Sequence, residues 1–292
     1  MTRAGIVTVA GKPNAGKSTL LNRIVGQKLS IVSPKPQSTR DRVVGILTEN
    51  DAQMIVLDTP GLLEPAYALQ QSMRATALEA LREADVIIHV IDATESVESL
   101  RDAAGLAAPP SAPIITALNK TDLLSAKRRQ ELSRNTPDAA LISAATGDGV
   151  PELLQRAGAL LPESPFLYPE DEISTQHLRF FVSELVRETA LEQLSDEVPY
   201  SMACEIEEFR EERKPVYIRA VLHVERESQK RIVIGAKGAQ IRDIGLTARR
   251  KIESLLGESV YLDLWVKVLP NWRKNAHALA RFGYKLDPER HR

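Results

Sequence analysis

Residues 11–18 read Gly-Lys-Pro-Asn-Ala-Gly-Lys-Ser and follow an apolar run, Ile6-Val7-Thr8-Val9-Ala10, that predicts the first strand of a parallel sheet. Between a strand and a helix, the spacing Gly-x-x-x-x-Gly-Lys-Ser is a P-loop, whose backbone N–H groups face inward around a phosphate. Gly16 opens the helix, and the positive helix end adds to the anion site. Gly11, Lys12, Pro13, Asn14, Ala15, Gly16, Lys17, Ser18 and Thr19 are therefore candidate nucleotide contacts. Lys17 is expected at the β- and γ-phosphates and Ser18 on Mg²⁺.

Kinases, ATPases and GTPases all use such a loop, so the base-reading residues decide between them. After the buried-strand pattern of residues 112–118 comes Asn119-Lys120-Thr121-Asp122. An ionised Asp122 only accepts hydrogen bonds, and guanine offers its ring N1–H and exocyclic amine side by side. Adenine would set a lone pair against the same carboxylate, and a missing buried hydrogen bond selects strongly. Asn119 is expected to tie this loop to the P-loop, and the Lys120 stem to cover a face of the base. Residues 53–57 form another strand pattern that runs into Asp58-Thr59-Pro60-Gly61-Leu62, further candidate nucleotide contacts. Asp58 is placed to hold Mg²⁺ through water, and the Gly61 amide to donate to the γ-phosphate and sense its presence. Ser143-Ala144-Ala145, after a short strand at 139–142, is expected to offer backbone N–H groups to the base carbonyl.

These four elements, in this order, resemble the small GTPase domains of the translation-factor class. Within that class, Gly16-Lys17-Ser18-Thr19-Leu20-Leu21-Asn22 and Gln37-Ser38-Thr39-Arg40 are similar to the bacterial Era family. The resemblance makes Thr39 the switch-I threonine that closes on Mg²⁺ in the GTP state; Ser38 stands where the family usually has another threonine. Lys17, Thr39 and Gly61 are then the residues expected to act on the γ-phosphate, with Ser18, Thr39 and Asp58 around the metal. Ras-like enzymes follow the switch-II glycine with a glutamine that orients the attacking water. Here Leu62 takes that place and cannot do so, which predicts hydrolysis slower than about 1 s⁻¹. In GTPases resembling this one the counterpart of Asn14 helps bind a monovalent cation, so stimulation by K⁺ through Asn14 is expected.

The 292 residues, 43% hydrophobic with a formal charge of -1, suit two globular domains. The longest apolar stretch, 86–91, is far too short to span a bilayer, and the N-terminus lacks a signal-peptide pattern, so a cytoplasmic protein is expected. One cysteine, Cys204, excludes an internal disulfide or a thiolate metal cluster. Cys204 and His89 both fall in apolar strand patterns and read as core residues.

Pro162, Pro165 and Pro169, with Glu170, Asp171 and Glu172, place a linker at 166–173, between a first domain at 1–165 and a second at 174–292. An amphipathic helix pattern from Phe180 to Leu194 is followed by strand patterns at 200–206 and 216–224. Ile232-Val233-Ile234 then leads into the turn Gly235-Ala236-Lys237-Gly238, a helix at 239–256 and a last strand at 260–268. This α-β-β-α-α-β order, with Gly-x-x-Gly between the middle helices, resembles a KH domain of the type II arrangement. The resemblance implies that the loop clamps the backbone of single-stranded RNA. Lys230, Arg231, Gly235, Ala236, Lys237, Gly238 and Arg242 are the expected contacts, with Arg249, Arg250 and Lys251 as further phosphate candidates. Residues 228–292 carry 14 Lys and Arg against 6 Asp and Glu, whereas 166–227 carry 7 against 15, so the basic side is the Gly-x-x-Gly side.

The predicted architecture is an α/β P-loop GTPase domain, its sheet mostly parallel with helices on both faces, followed by an α+β type II KH domain. The Era-family resemblance covers nearly the whole chain. It implies a ribosome-assembly GTPase that uses GTP, GDP and Mg²⁺ and works as a monomer, with the 3′ region of 16S rRNA and the 30S subunit as partners. Peripheral association with the inner face of the cell membrane is implied by the resemblance alone. Two other classes fit part of the sequence. A GTP-gated RNA-modification factor needs a second catalytic site, and nothing after Pro169 offers a His/Cys cluster or a second nucleotide motif. An RNA-binding adaptor that holds GTP without turnover is separated from a GTPase by multiple-turnover hydrolysis.

Overall fold

The structure, a computed structural model, describes residues 1–285. The chain divides into two units, one built on residues 1–66 and 70–175 and the other on residues 67–69 and 176–285. The end of the expected second domain, 286–292, lies outside the described residues.

The first unit runs β1 (Arg3–Ala10), α1 (Lys17–Val25), β2 (Val43–Glu49), β3 (Ala52–Asp58), α2 (Ala68–Glu83), β4 (Val86–Asp92), α3 (Leu100–Ala104), β5 (Ile114–Asn119), α4 (Ala126–Asn135), β6 (Ala140–Leu141) and α5 (Val150–Leu160). Its sheet has the order β2-β3-β1-β4-β5-β6, parallel except for the antiparallel β2–β3 pair at one edge. Val7 and Val9 of β1 and Val86, Ile87 and Ile88 of β4 are fully buried, as strands of a sheet covered on both faces must be. Alternation along β3 gives the two layers. Ile55 and Leu57 pack on Ala80 of α2, while Met54 lies against Gly158 of α5. The strand order reverses at β1, and the loops after β1, β3 and β5 meet at the carboxyl ends of their strands, where ligands bind in such sheets.

Segment 166–173, read from its prolines as a linker, packs on this unit instead. Gln53 is fully buried within β3 and needs partners for its amide. Its Oε1 accepts from the amides of Leu167 and Tyr168 at 2.7 and 3.0 Å, and its Nε2 donates to the Tyr168 carbonyl at 2.9 Å. Farther along, the Ile46 amide donates to the Ile173 carbonyl at 2.9 Å.

The second unit runs α6 (Leu178–Gln193), β7 (Ala203–Arg210), β8 (Val216–Val224), α7 (Glu227–Ile234), α8 (Ala239–Leu256), β9 (Val260–Val268) and a short α9 (Ala276–Arg281). β7 starts later than the alternation suggests because Pro199 opens a 3₁₀ turn over Pro199–Ser201. The sheet order is β7-β8-β9, with β7 antiparallel and β9 parallel to β8. One face carries the core: Val182, Val186 and Ala190 of α6 and Ile244, Ala248 and Ile252 of α8, each at helical spacing, meet Ile218, Ala220 and Leu222 of β8. Cys204 sits half-buried at the margin of this core, where burial pushes its thiol up. The C-terminal segment covers part of the other face. Phe282 lies 5.1 Å from the His223 ring and edge-on to Trp272, which is fully buried and donates its indole N–H to the Ser201 carbonyl at 2.8 Å.

Candidate functional site

In the first unit the loop after β1 turns through Asn14 and Gly16, both in the left-handed region, and delivers Lys17 as the first residue of α1. Lys17 is buried, and its ammonium donates to the Lys12 carbonyl across the loop at 2.8 Å. Burial pushes its pKa down to about 8, with Asp58 partly offsetting the shift. Burial likewise pushes the Asp58 carboxyl up, with Lys17 and neighbouring hydroxyls opposing it. A buried ammonium and a buried carboxylate held this close form a cradle whose charges a polyphosphate and a cation complete. The Lys12 ammonium points away from the cradle, to Glu98 at 2.6 Å.

Three hydroxyls converge on Asp58. Ser18 Oγ donates to Oδ2 at 2.7 Å, Ser30 Oγ does so at 2.7 Å, and Thr39 Oγ1 lies at 3.4 Å. Ser18 Oγ and Thr39 Oγ1 are 2.9 Å apart. Mg²⁺ prefers hard oxygen donors in octahedral geometry, and two adjacent ligands at ~2.1 Å from the ion stand about 3 Å from each other. Asp58 Oδ1 is buried and without a hydrogen-bond partner among the described residues. The donor set therefore fits Mg²⁺: Ser18 and Thr39 would hold it, with Asp58 behind them. Bound there, the ion would neutralise charge developing on the phosphates.

Gly61 closes the other side of the cleft. A Cβ on it would lie 2.7 Å from the backbone nitrogen of Pro13, so the loop after β3 approaches the P-loop as closely as backbone allows. Its neighbours face inward. Thr59 Oγ1 donates to the Val9 carbonyl at 2.9 Å, Pro60 is buried, and Leu62 is 2% exposed among Ala10, Ala77, Leu81 and Ile87. The Leu62 amide donates to the Gly11 carbonyl at 3.0 Å. The side chains of Thr59 and Leu62, read from sequence as nucleotide contacts, thus hold the loop rather than face the cleft. The cleft, about 330 Å³, is lined by Pro13, Asn14, Thr19, Thr39, Gly61 and Lys120 among others.

At the end of β5, Asn119 is 2% exposed; its Nδ2 donates to the Ala15 carbonyl and its Oδ1 accepts from the Ala144 amide, each at 2.8 Å. Lys120 stands in the left-handed region with its ammonium 2.6 Å from Asp92. Thr121 Oγ1 donates to the Ile142 carbonyl at 2.9 Å, so its side chain supports the loop. Asp122 accepts from Ser143 Oγ at 2.6 Å, which brings together the two elements read as guanine-binding. Of the three amides assigned to the base carbonyl, that of Ser143 donates to the Asp148 carbonyl and that of Ala144 to Asn119. The Ala145 amide has no acceptor among the described residues.

Three supporting residues escaped the sequence reading. Asp92 ends β4 on the ligand side of the sheet, and that position was the signal for it. Arg23 donates to the carbonyls of Ala144, at 3.2 Å, and Ala145, and Ser30 donates to Asp58. Nothing in the sequence around Arg23 or Ser30 marks either one.

In the second unit, Lys230 and Arg231 lie on α7, Gly235 to Gly238 form the turn, and Arg242 stands near the start of α8. Lys237 takes the left-handed region at φ 51° and is exposed beside Ala236. Arg231, Lys237 and Arg242 are exposed and Lys230 is half-buried, and none of the four has a salt-bridge partner among the described residues. Arg249 and Lys251, further phosphate candidates, have acidic neighbours. Lys251 is held by Glu188 and Glu192 of α6 at 3.0 and 2.7 Å, and Arg249 lies 3.8 Å from Glu253.

Comparison with known proteins agrees with both sites. Residues 6–120 match the family described as 50S ribosome-binding GTPase, and residues 197–273 match the KH domain. GTPase Era of Carboxydothermus hydrogenoformans is 40% identical over 291 residues, covering 97% of this chain and 98% of that protein. GTPase Era of Pseudomonas aeruginosa is 42% identical, covering 97% and 95%. A crystal structure of Era in complex with MgGDPNP and nucleotides 1506–1542 of 16S ribosomal RNA superposes with a TM-score of 0.90 at 40% identity, covering 98% of this chain and 100% of that one. A variant of Aquifex aeolicus Era bound to GDP·AlF4⁻ gives the same score and coverage. With a guanine-reading P-loop unit, a KH unit and relatives aligned over nearly their whole length, the chain belongs to the Era family of GTPases.

Proposed function

We propose that this GTPase is a slow, Mg²⁺-dependent switch that binds RNA near the 3′ end of 16S rRNA in its GTP state and acts in 30S subunit assembly. One observation carries the reading: the chain aligns along its whole length with a protein solved holding MgGDPNP and nucleotides 1506–1542 of 16S rRNA together. The local chemistry supports both halves. The buried Lys17 and Asp58 cradle suits a metal-bound triphosphate. Arg231, Lys237 and Arg242 around the Gly-x-x-Gly turn are exposed, as suits phosphate contacts. Slow turnover follows from Leu62, which is apolar and packed into the core where a water-orienting side chain would be needed. Coupling is thermodynamic: if GTP raises RNA affinity, RNA must raise GTP affinity by the same factor. The reading includes a monomeric, cytoplasmic protein that works on the 30S particle and meets the inner membrane face peripherally.

The test is binding of a labelled oligonucleotide from the 16S 3′ end to protein loaded with a non-hydrolysable GTP analogue or with GDP, at one salt concentration. Tighter binding with the analogue, lost in a Gly235→Asp, Gly238→Asp variant that still binds nucleotide, supports the switch. Specific binding that ignores the nucleotide separates the two activities, and absence of specific binding rejects the RNA reading.

A further inference from the structure

The two oxygens of Asp58 are treated differently. Oδ2 takes the hydroxyls of Ser18 and Ser30, each at 2.7 Å, with Thr39 Oγ1 farther off at 3.4 Å, whereas Oδ1 has no partner among the described residues. Ser18 belongs to the metal donor set, whereas Ser30 touches Asp58 alone among those residues. Ser30 follows α1, is 3% exposed, and is gripped from behind by Asn22 of that helix. Asn22 Oδ1 accepts from the amides of Leu29 and Ser30, both at 2.9 Å, and its Nδ2 donates to the Ser30 carbonyl at 2.8 Å. These three bonds fix the backbone on both sides of Ser30, so its hydroxyl is delivered to one place.

A carboxylate turns easily about its last torsion, whose energy profile is broad and two-fold. One hydroxyl on Oδ2 leaves that rotation partly open. A second, arriving from a different segment of chain, pins the plane of the carboxylate behind Ser18 and Thr39. We infer that Ser30, set in place by Asn22, is a positioning residue for the metal-facing carboxylate of Asp58 and thereby governs how tightly Mg²⁺ is held beside the nucleotide. The inference rests on the reading of Ser18, Thr39 and Asp58 as the metal side of the site.

The experiment uses the full chain loaded with a fluorescent GDP, with nucleotide release followed as free Mg²⁺ is titrated. Removal of an outer partner of a metal site costs about 10- to 100-fold in metal affinity. Ser30→Ala and Asn22→Ala are therefore expected to raise the Mg²⁺ midpoint about tenfold or more, with release in excess EDTA within about twofold of wild type. Asp58→Asn is the control. An unchanged midpoint in Ser30→Ala beside a raised midpoint in Asp58→Asn overturns the role of Ser30 and leaves the metal site standing. An unchanged midpoint in both variants removes the metal reading and the inference with it. Equal acceleration of release with Mg²⁺ and in EDTA shows general loosening and also overturns the inference.

Discussion

The side-chain amide of Asn119 donates to the Ala15 carbonyl at 2.8 Å, joining the base-reading loop to the P-loop across 104 residues of sequence. Its oxygen takes the Ala144 amide at the same distance, so three loops of the nucleotide site hang on one buried side chain. Asn119→Ala leaves a buried carbonyl and a buried amide unpaired, at a cost of roughly 1–3 kcal/mol each. GDP release is expected to accelerate by about 10²-fold or more, measured with a fluorescent nucleotide, and the melting temperature of the first unit is expected to fall.

Gly61→Ala separates binding from turnover. The added methyl would stand 2.7 Å from the Pro13 nitrogen and 2.8 Å from its Cα, and neither can yield without moving the P-loop or the loop after β3. Either shift takes the Gly61 amide out of register with the P-loop. Loss of one such donor typically costs about 10²–10³ in rate. Single-turnover hydrolysis is expected to fall by that order while GDP affinity stays within about threefold of wild type.

Much of this was legible in the sequence because the chemistry is local. The P-loop, the base-reading tetrapeptide and the Gly-x-x-Gly turn are short segments whose residue types fix their own backbone, and the strands before the first two show a clean apolar pattern. α8 and β9 could be bounded to the residue, since Gly238 and Gly257 cap the helix and the strand alternates throughout. What stayed hidden depends on the folded neighbourhood. Gln53 reads as an ordinary strand residue until its amide is seen holding segment 166–173. Lys251 reads as a free cation until α6 brings Glu188 and Glu192 beside it. Thr59 and Leu62 sit inside a recognisable motif, yet the direction of their side chains is set by the sheet.

The two glycines of the RNA-side turn should differ when tested singly. Gly235 has φ 71°, and a Cβ there would meet Gln240 at 2.6 Å from its Cβ and 2.9 Å from its amide nitrogen. Gly238 has φ 77° with open space around it. Gly238→Ala therefore carries only the left-handed penalty of about 1 kcal/mol, whereas Gly235→Ala adds a backbone clash. Urea unfolding of the second unit is expected to show Gly235→Ala as the more destabilised of the two by at least 1 kcal/mol.

Asn14 offers a test of the monovalent cation. Its Nδ2 donates to the Pro34 carbonyl at 3.1 Å, which leaves the side-chain oxygen as the group a cation would take and ties the P-loop to the segment leading to Thr39. Hydrolysis is expected to run faster in K⁺ than in Na⁺ for the wild type and at equal rates in the two salts for Asn14→Ala. Equal wild-type rates would assign Asn14 to loop geometry alone.

His89 gives the first unit an acid-sensitive stability. It is 2% exposed within β4, and burial pushes its pKa from 6.5 down to about 4, with Glu98 opposing the shift and Lys12 and Lys17 reinforcing it. The unfolded chain takes up a proton as pH falls through 6.5, whereas the folded chain stays neutral there until about 4. Stability from this residue is thus complete above pH 6.5 and declines between 6.5 and 4, by roughly 2 kcal/mol at pH 5. His89→Leu removes the titration. Between pH 7 and pH 5 the variant is expected to lose about 2 kcal/mol less than wild type in urea unfolding, whatever its stability at pH 7. Parallel losses in the two proteins would mean that the imidazole is already protonated in the fold.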